Sequence, residues 1–398
     1  MSKALEDVVV LELTTEFWSA VGAAMLADFG ARVIRLEPPS EAHEEGSGQE
    51  PPVGWDHDAE LAHRNKLSLA LDLGTESGRA ILLELVCKAD VIVTDWPLAR
   101  LERAELDYAP LCDLKPDLIY AHGSGFGPQG PDRDLPALDE LAAARTGMMP
   151  ILPQPGQPPV YSGCGQMYTS VMLAFGIATA LHHREETGEG QEVNASLFAG
   201  NMYGASLDLQ AYLAMGGERF CQPVSRMDAG NPMSGVLYPS KDGRWVTLTM
   251  PDTDRWWPGL AKVVGLDPDD PRFNSHEKRC EENRLELIQV FEERFRQQPA
   301  AHWKQSLAEQ QLSADVIEEF DYPAEDEQAL RNRYILELDR PGVKKVKTLG
   351  FPIFMSDSPA RLHRNAPCRG QHSAEILHDL LGYSEDRICE LATNGVIA

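Results

Sequence analysis

A run of glycines follows a segment that the sequence predicts to be a β-strand, as in a loop that exposes its backbone to a ligand. The run is Gly123-Ser124-Gly125-Phe126-Gly127-Pro128-Gln129-Gly130. It lacks the GxGxxG spacing of a dinucleotide-binding turn, and Pro128 and Pro131 obstruct the helix start that would aim amide groups at a pyrophosphate. Two interpretations stay open: an active-site wall with Gly125 and Gly127 as its loop residues, or a structural turn.

Other common catalytic signatures are absent from the sequence. It contains no GxSxG elbow, no HExxH and no phosphate-binding loop. No CxxC pair occurs among the seven cysteines, which are Cys87, Cys112, Cys164, Cys221, Cys280, Cys368 and Cys389. This spacing fits neither a disulfide framework nor a zinc site, so we expect reduced thiols, no metal and a cytoplasmic location.

The charge and hydropathy of the chain exclude several classes of function. The 398 residues include 62 Asp and Glu against 36 Lys and Arg, which gives a net charge of −26. Such a charge repels nucleic acids and anionic lipid surfaces, so we expect neither as a partner. The most apolar stretch, 167–181, is interpreted as a buried helix and not as a membrane span. The N-terminus shows no secretion signal.

The elements that must position the glycine run alternate between strand and helix. Short β-branched strands are predicted at 8–13, 33–37, 67–71, 91–94 and 118–121, with helical patterns between most of them. The first helix, 19–29, is expected to end at Gly30, where a left-handed residue can close it. This alternation predicts an α/β fold with an open, doubly wound parallel sheet.

Composition divides the chain into a large domain built from both chain ends and a smaller inserted α+β domain. The expected parts are a first large-domain segment at 1–200, a linker at 201–224, the inserted domain at 225–325 and a return to the large domain at 326–398. The acidic stretch 38–58, rich in Gly, Pro and Glu, predicts a solvated surface loop.

Short motifs spread over nearly the whole chain form a further pattern. They are LELT (11–14), AMLADFGA (24–31), VIRLEPP (33–39), RNKLSLALDL (64–73), GSGFG (123–127), TGEGQ (187–191) and LLGYS (380–384). In this order they resemble the family III CoA-transferases, the carnitine- and bile-acid-inducible (CaiB/BaiF) type.

The resemblance implies a fold, an assembly and a reaction. Family members have two subunits threaded through each other like linked rings. They move CoA from an acyl-CoA donor to a carboxylate acceptor through an aspartate, which forms a mixed anhydride and then an aspartyl-CoA thioester. Coenzyme A or an acyl-CoA would then be a substrate, and the partner would be a second copy or a paralogue.

The position of the family's nucleophilic aspartate is occupied by Gln166, counting back from the helix that contains Gly176. A neutral amide is a poor nucleophile and cannot yield the reversible anhydride, so the usual covalent route is closed in this subunit. A thiolate at Cys164 could accept an acyl group, but the sequence supplies no basic partner to generate it.

An acidic residue, Asp139, matches a position that flanks the pocket in family members. It could be recruited for the chemistry, but we favour a role in orienting its neighbours. Leu138 stands where the family's racemase branch has a histidine, so we do not expect racemisation.

Binding of the CoA phosphates requires cations. Candidates at matching positions are Arg35, Arg64, Lys66, Arg103 and Arg133. Thr15 and Pro38 stand where many members carry Arg or Lys, which weakens the case for CoA affinity.

In the inserted domain, Gly230 and Asn231 belong to a loop that is a glycine run in some members and closes over the covalent intermediate. Trp245, Trp256 and Trp257 resemble those of a subgroup acting on bulky or aromatic acyl groups. They line an acyl pocket or pack in the core of the domain, and both interpretations stay open.

Two hypotheses for function follow. In the first, the chain binds acyl-CoA and takes part in CoA transfer to a carboxylic acid, with an altered nucleophile or one supplied by an aspartate-bearing partner. In the second, it is a catalytically silent structural subunit of a heteromeric CoA-transferase.

Overall fold

The computed structural model describes residues 3–39, 56–339 and 345–398. These residues form two compact units. The large unit comprises Met1–Met149, Tyr161–Met215 and Glu327–Ala398, and the small unit comprises Pro150–Val160 and Gly216–Asp326. Most of the predicted surface loop at 38–58 lies outside the described residues.

Strands and helices alternate along the first part of the chain. In order they are β1 (Val9–Leu13), α1 (Phe17–Asp28), β2 (Arg32–Glu37), α2 (His57–His63), β3 (Leu67–Ala70), α3 (Glu76–Val86), β4 (Val91–Thr94), α4 (Leu98–Ala104), α5 (Tyr108–Leu114), β5 (Ile119–Ser124), α6 (Asp139–Ala144), α7 (Met148–Ile151), α8 (Gly165–Thr187), β6 (Gln191–Ser196), α9 (Leu197–Gly204) and α10 (Ser206–Met215).

The rest of the chain contains shorter elements. They are β7 (Ser234–Pro239), β8 (Trp245–Thr249), α11 (Thr253–Val264), α12 (Arg284–Phe295), α13 (Ala300–Glu309), β9 (Ala314–Val316), α14 (Glu327–Arg331), β10 (Ile335–Leu338), β11 (Val346–Leu349), α15 (Ser373–Leu381) and α16 (Glu385–Thr393).

The described part of the large unit contains a six-stranded parallel sheet in the order β3-β2-β1-β4-β5-β6. The strand order reverses between β1 and β4, where Leu11 pairs with Ile92. In open α/β sheets, ligands bind outside the carboxyl ends of the strands at such a point. The predicted α/β class with a parallel sheet is confirmed.

Both faces of this sheet are covered, because successive side chains of a strand point to opposite sides. Leu11 packs in one apolar cluster with Leu85 of α3 and Ile376 of α15. Its neighbour Val10 packs in another cluster with Leu26 of α1 and with residues of α8. The near-continuous apolar character of the strands follows from this double burial.

The predicted closure of the first helix is confirmed. Gly30 has a φ of +107°, and its backbone N–H donates to the Ala27 carbonyl at 2.9 Å. A Cβ at this position would lie 2.4 Å from the Lys3 side chain, so glycine is required for both conformation and space.

The prediction that 167–181 is a buried helix is wrong for one face of α8. Ile177 is buried, but Tyr168, Val171 and Phe175 are exposed. A stretch that is apolar all round carries no polar periodicity to mark its exposed side, so the sequence pattern could not separate the two faces. Among the described residues, no helix is long and apolar enough to cross a membrane.

The small unit has an antiparallel sheet in the order β7-β8-β9, packed on α11, α12 and α13. Trp257 lies in its core, 6.4 Å from Phe291 between ring centroids, whereas Trp245 is partly exposed. For Trp257 the interpretation as a core residue therefore holds.

The unit boundaries differ from those that composition indicates. Residues 150–160 belong to the small unit, because the Gln154 side chain accepts a hydrogen bond from the Arg226 backbone N–H at 3.1 Å. The segment 201–224, which composition predicts to be a linker, contains the second half of α9 and all of α10, and these helices belong to the large unit.

A buried ion pair joins β1 to the residue that precedes β3. Lys66 Nζ lies 2.5 Å from Glu12 Oε2, and both side chains are 0% exposed. The same Nζ donates to the Ala20 carbonyl of α1 at 2.8 Å. Burial lowers the pKa of Lys66 to about 8, although the Glu12 carboxylate opposes that shift. Removing one partner would leave the other charge buried and uncompensated.

We predict that Lys66→Met lowers the free energy of unfolding by about 3–5 kcal/mol, because Glu12 would lose its counter-charge inside the protein. Urea unfolding followed by circular dichroism measures this. The control is Arg331→Met, which removes an exposed ion pair with Glu327 and should change stability little. Equal, small effects of both substitutions would contradict the structural role of the buried pair.

Candidate active site

Gln166 lies in the first turn of α8. Its backbone carbonyl accepts a hydrogen bond from Ser170 Oγ at 2.8 Å. Its partly buried side chain makes no hydrogen bond with any residue in the described ranges. The free N–H groups and the dipole of a helix favour negative charge at its N-terminus. A carboxylate at this position would therefore be stabilised as an anion, whereas the amide brings no charge.

A hydrogen-bond network fixes the start of α8. The buried Asp139 carboxylate accepts a hydrogen bond from the Tyr161 hydroxyl at 2.6 Å and from Asn201 Nδ2 at 2.7 Å. Asn201 in turn packs on Gly165, where an added Cβ would lie 2.1 Å from its Nδ2. Burial, together with the hydrogen bond to Asp139, raises the pKa of Tyr161. Asp139 thus orients the groups beside Gln166.

Close packing of α1 against α8 sets the position of residue 166. A Cβ at Gly22 would lie 3.1 Å from the Ser170 carbonyl oxygen, so a small residue is needed where the helices cross. Ser170 Oγ also donates to the Trp18 carbonyl at 2.5 Å. The backbone of α8 near Gln166 is therefore tied to the helix that follows β1.

The glycine loop follows β5 and therefore lies at the carboxyl end of the parallel strands. The Gly125 carbonyl accepts a hydrogen bond from the Phe198 N–H of α9 at 2.9 Å. A Cβ on Gly125 would lie 2.8 Å from the Pro136 carbonyl oxygen, so the loop packs tightly there. Gly127 has a φ of +97° and donates its N–H to Ser124 Oγ at 3.0 Å. Since α9 also carries Asn201, this loop and the start of α8 are linked through one helix.

The loop after β1 is anchored at the point where the strand order reverses. The buried Asp95 carboxylate accepts hydrogen bonds from the backbone N–H groups of Thr15 and Glu16 at 2.8 and 2.7 Å, and from the Ser19 hydroxyl. Burial raises the pKa of Asp95, although these donors oppose the shift. The anchor fixes the start of α1.

Two of the predicted phosphate contacts, Arg64 and Lys66, are buried and paired. Arg64 donates to Asp28 at 2.7 Å and to the carbonyls of Leu349 and Gly350 at 2.5 and 3.1 Å. Lys66 is bound by Glu12 and by a carbonyl of α1, as described above. A CoA phosphate could reach either cation only by displacing these partners.

The other three predicted cations are more accessible. Arg35 lies 3.4 Å from Glu37 at the end of β2. Arg103 donates to the Ala99 carbonyl at 2.9 Å, and Arg133 pairs with Glu102 at 3.3 Å. The structure thus brings Arg103 and Arg133 close together on α4 and the loop facing it, apart from the buried pair of cations.

Sequence reasoning missed several residues of this region. Tyr161 and Asn201 are separated from Asp139 by 22 and 62 positions, so no local motif joins them. Trp96 and Arg100 also escaped notice, although the guanidinium lies 3.6 Å from the centre of the indole ring. An aromatic residue two positions after the strand that ends at 94 was the available signal for that pair.

Two further predicted residues have local roles. In the small unit, the Asn231 side chain accepts from the Met233 N–H at 2.8 Å and donates to the Met250 carbonyl at 3.2 Å, which holds its loop. A Cβ at the preceding Gly230 would meet no atom within 4 Å. In the large unit, the Cys164 thiol contacts the Ser162 carbonyl, Sγ to O 3.5 Å.

The chain resembles known proteins over most of its length. Residues 5–373 match the family model described as CoA-transferase family III. A cinnamoyl-CoA:phenyllactate CoA-transferase of Clostridium sporogenes is 30% identical, over 96% of this chain and 95% of the relative. An (R)-2-hydroxy-4-methylpentanoate CoA-transferase of Clostridioides difficile is 29% identical, over 99% of both chains.

A solved structure shows the same fold. The crystal structure of a CaiB/BaiF family protein from Brucella suis superposes with a TM-score of 0.81 at 26% identity, over 96% of this chain and 100% of that chain. Fold and sequence comparisons therefore point to the same family.

We predict that Asp139→Ala lowers the free energy of unfolding by about 1–3 kcal/mol, because Tyr161 and Asn201 would lose their buried acceptor. Urea unfolding measures the effect. Glu140→Ala is the matched control, since Glu140 is the exposed neighbour on the same helix. If Asp139→Ala were no more destabilising than Glu140→Ala, the carboxylate would not hold this network.

Proposed function

The chain belongs to CoA-transferase family III, and from this premise we propose that it binds an acyl-CoA and takes part in CoA transfer to a carboxylic acid. The nucleophile is altered in this subunit or comes from a partner. The observation that carries the proposal is the neutral side chain of Gln166 in the first turn of α8, which we assign to the position of the family's aspartate.

The family reaction depends on a carboxylate at that position. Its oxygen attacks the thioester carbonyl, and CoA leaves as a thiolate, which gives a mixed anhydride. The thiolate then attacks the aspartyl carbonyl carbon of the anhydride, and the C–O bond to the acyl group breaks, which releases the donor's carboxylate and leaves an aspartyl-CoA thioester. The amide of Gln166 has its nitrogen lone pair delocalised into its carbonyl, so it is a weak nucleophile. An isolated chain should bind its ligand without forming this intermediate.

The surroundings of Gln166 support a pocket that still binds. Asp139, Asn201 and Gly165 form a packed, hydrogen-bonded support for the first turn of α8. This support costs conformational freedom, and such preorganisation fits a site that holds a ligand in place. It does not replace the missing nucleophile, since both oxygens of the Asp139 carboxylate accept hydrogen bonds.

For the CoA phosphates, we propose contacts with Arg35, Arg103 and Arg133, which are more accessible than Arg64 and Lys66. Each already lies near an acidic side chain or a carbonyl, so phosphate binding would compete with these partners. The net charge of −26 also opposes a polyanionic ligand. The affinity for CoA should therefore fall when the phosphate contacts of these three arginines are removed.

A second candidate, a silent structural subunit, is favoured by an exposed apolar surface. We call the surface formed by α8, α9 and α10 the α8–α10 face. Phe175 is 72% exposed, Tyr203 71% and Leu207 88%. Large exposed apolar patches mark interaction sites. The face supports an obligate dimer, interlocked as in the family, with a second copy or with an aspartate-bearing paralogue.

We predict that the purified chain alone does not exchange CoA between an acyl-CoA and a free acid, and that Gln166→Asp creates this activity. The introduced carboxylate would gain the favourable field of the α8 N-terminus. Liquid chromatography of the CoA thioesters measures exchange. Gln166→Asn is the matched control, because it has the size of aspartate without the charge.

The outcomes separate the two candidate functions. Exchange by the wild-type chain alone would exclude the silent subunit. No exchange by Gln166→Asp, with CoA still bound, would contradict the proposal that the rest of the pocket is competent. Activity that appears only with a co-purifying paralogue would favour the silent subunit.

We predict that Phe175→Asp breaks the assembly, because a charge would be buried where the partner covers the α8–α10 face. Sedimentation velocity should show a shift from dimer to monomer or to aggregate. Leu114→Asp, at an exposed apolar residue of α5, is the control and should stay dimeric. A dimer of unchanged sedimentation in Phe175→Asp would place the partner contact elsewhere.

A further inference from the structure

The large unit contains a cavity of about 390 Å³ beside the start of α8. It is bounded by α1, by α2, by the first turn of α8 and by the chain around 349–352. Ligand pockets have volumes of roughly 300–1,000 Å³. The cavity is therefore large enough for a small organic group.

The lining of this cavity is apolar. Val21 and Met25 of α1 face Leu61 of α2 and Phe351, and Met167 lies at the α8 side. The two methionines have flexible thioether side chains that adapt to ligands of different shape. Such a lining favours aliphatic and aromatic groups.

The charged groups of the lining are not available to a ligand. Arg64 donates to both oxygens of Asp28 at 3.1 and 2.7 Å and to the Leu349 and Gly350 carbonyls. Its guanidinium also lies 4.9 Å from the centre of the Phe351 ring. The ionised pair has no net charge, and four of the five guanidinium N–H groups donate to these partners, so a carboxylate entering the cavity would lose its hydration with little gain in hydrogen bonds.

The cavity lies next to the reacting position that the proposed function requires. Met167 lines it and directly follows Gln166. The α1 residues of the lining continue from Trp18 and Gly22, which contact Ser170 one turn after Gln166. The acyl group of a CoA thioester that is bound with its carbonyl beside residue 166 could therefore extend along α1 into the cavity.

We propose that this cavity takes the acyl group of the CoA thioester and selects an uncharged aliphatic or aromatic chain over a dicarboxylic one. The inference rests on the proposed function and adds the class of acyl group to it. The selecting residues are Val21, Met25 and Leu61, and the paired Arg64 and Asp28 exclude a second carboxylate.

The test is the affinity of the full-length chain, with any co-purifying partner, for four probes in calorimetry: 4-methylpentanoyl-CoA, 3-phenylpropanoyl-CoA, succinyl-CoA and free CoA. The first two should bind about tenfold more tightly than succinyl-CoA, the factor expected for burying an apolar group of this size. Met25→Trp should fill the cavity and abolish that preference while the affinity for free CoA changes less than about twofold.

Two further variants keep the test decisive. Leu83→Trp adds an indole at an exposed position of α3 and should keep the wild-type preference. Met25→Ala, which enlarges the cavity, should shift the preference towards octanoyl-CoA, and it serves if Met25→Trp does not fold.

Equal affinity for succinyl-CoA and the apolar thioesters would overturn the inference and leave the proposed function standing. An unchanged preference in both folded Met25 variants would do the same. Absence of binding of free CoA and of every thioester would overturn the proposed function itself.

Discussion

The contact between α1 and α8 determines where residue 166 lies, and the rest of the account depends on it. Gly22 allows the helices to approach, and the Ser170 hydroxyl ties α8 to the Trp18 carbonyl of α1. Because Asp95 anchors the start of α1 at the strand-order reversal, the first turn of α8 is held relative to the sheet. The chain belongs to CoA-transferase family III, and the proposed function depends on the side chain at 166.

Burial of two cations inside the large unit limits how the protein can bind an anionic ligand. Lys66 and Arg64 are paired with Glu12 and Asp28 and stabilise contacts between distant parts of the chain. Cations used in this way do not offset the net charge of −26 at the surface. This is why we propose the more accessible arginines as the phosphate contacts and apolar contacts as the basis of acyl-group selection.

Much of the fold could be predicted from the sequence. Parallel strands that are buried on both faces appear in the sequence as short, nearly continuous apolar runs. The strand 91–94 has the predicted bounds. The site was less predictable, because its contacts join distant positions. The hydrogen bond of Asn201 to Asp139 spans 62 residues, and the burial of Lys66 depends on its pairing with Glu12. Neither the composition nor the periodicity of a segment encodes such partners.

The central claim is that this chain cannot hold a covalent acyl or CoA intermediate by itself. Intact-protein mass spectrometry after incubation with 4-methylpentanoyl-CoA, quenched at intervals in acid, tests it most directly. The account predicts an unmodified mass for the wild-type chain at every time point. An added acyl or CoA mass, mapped to any side chain of the wild-type protein, would contradict it.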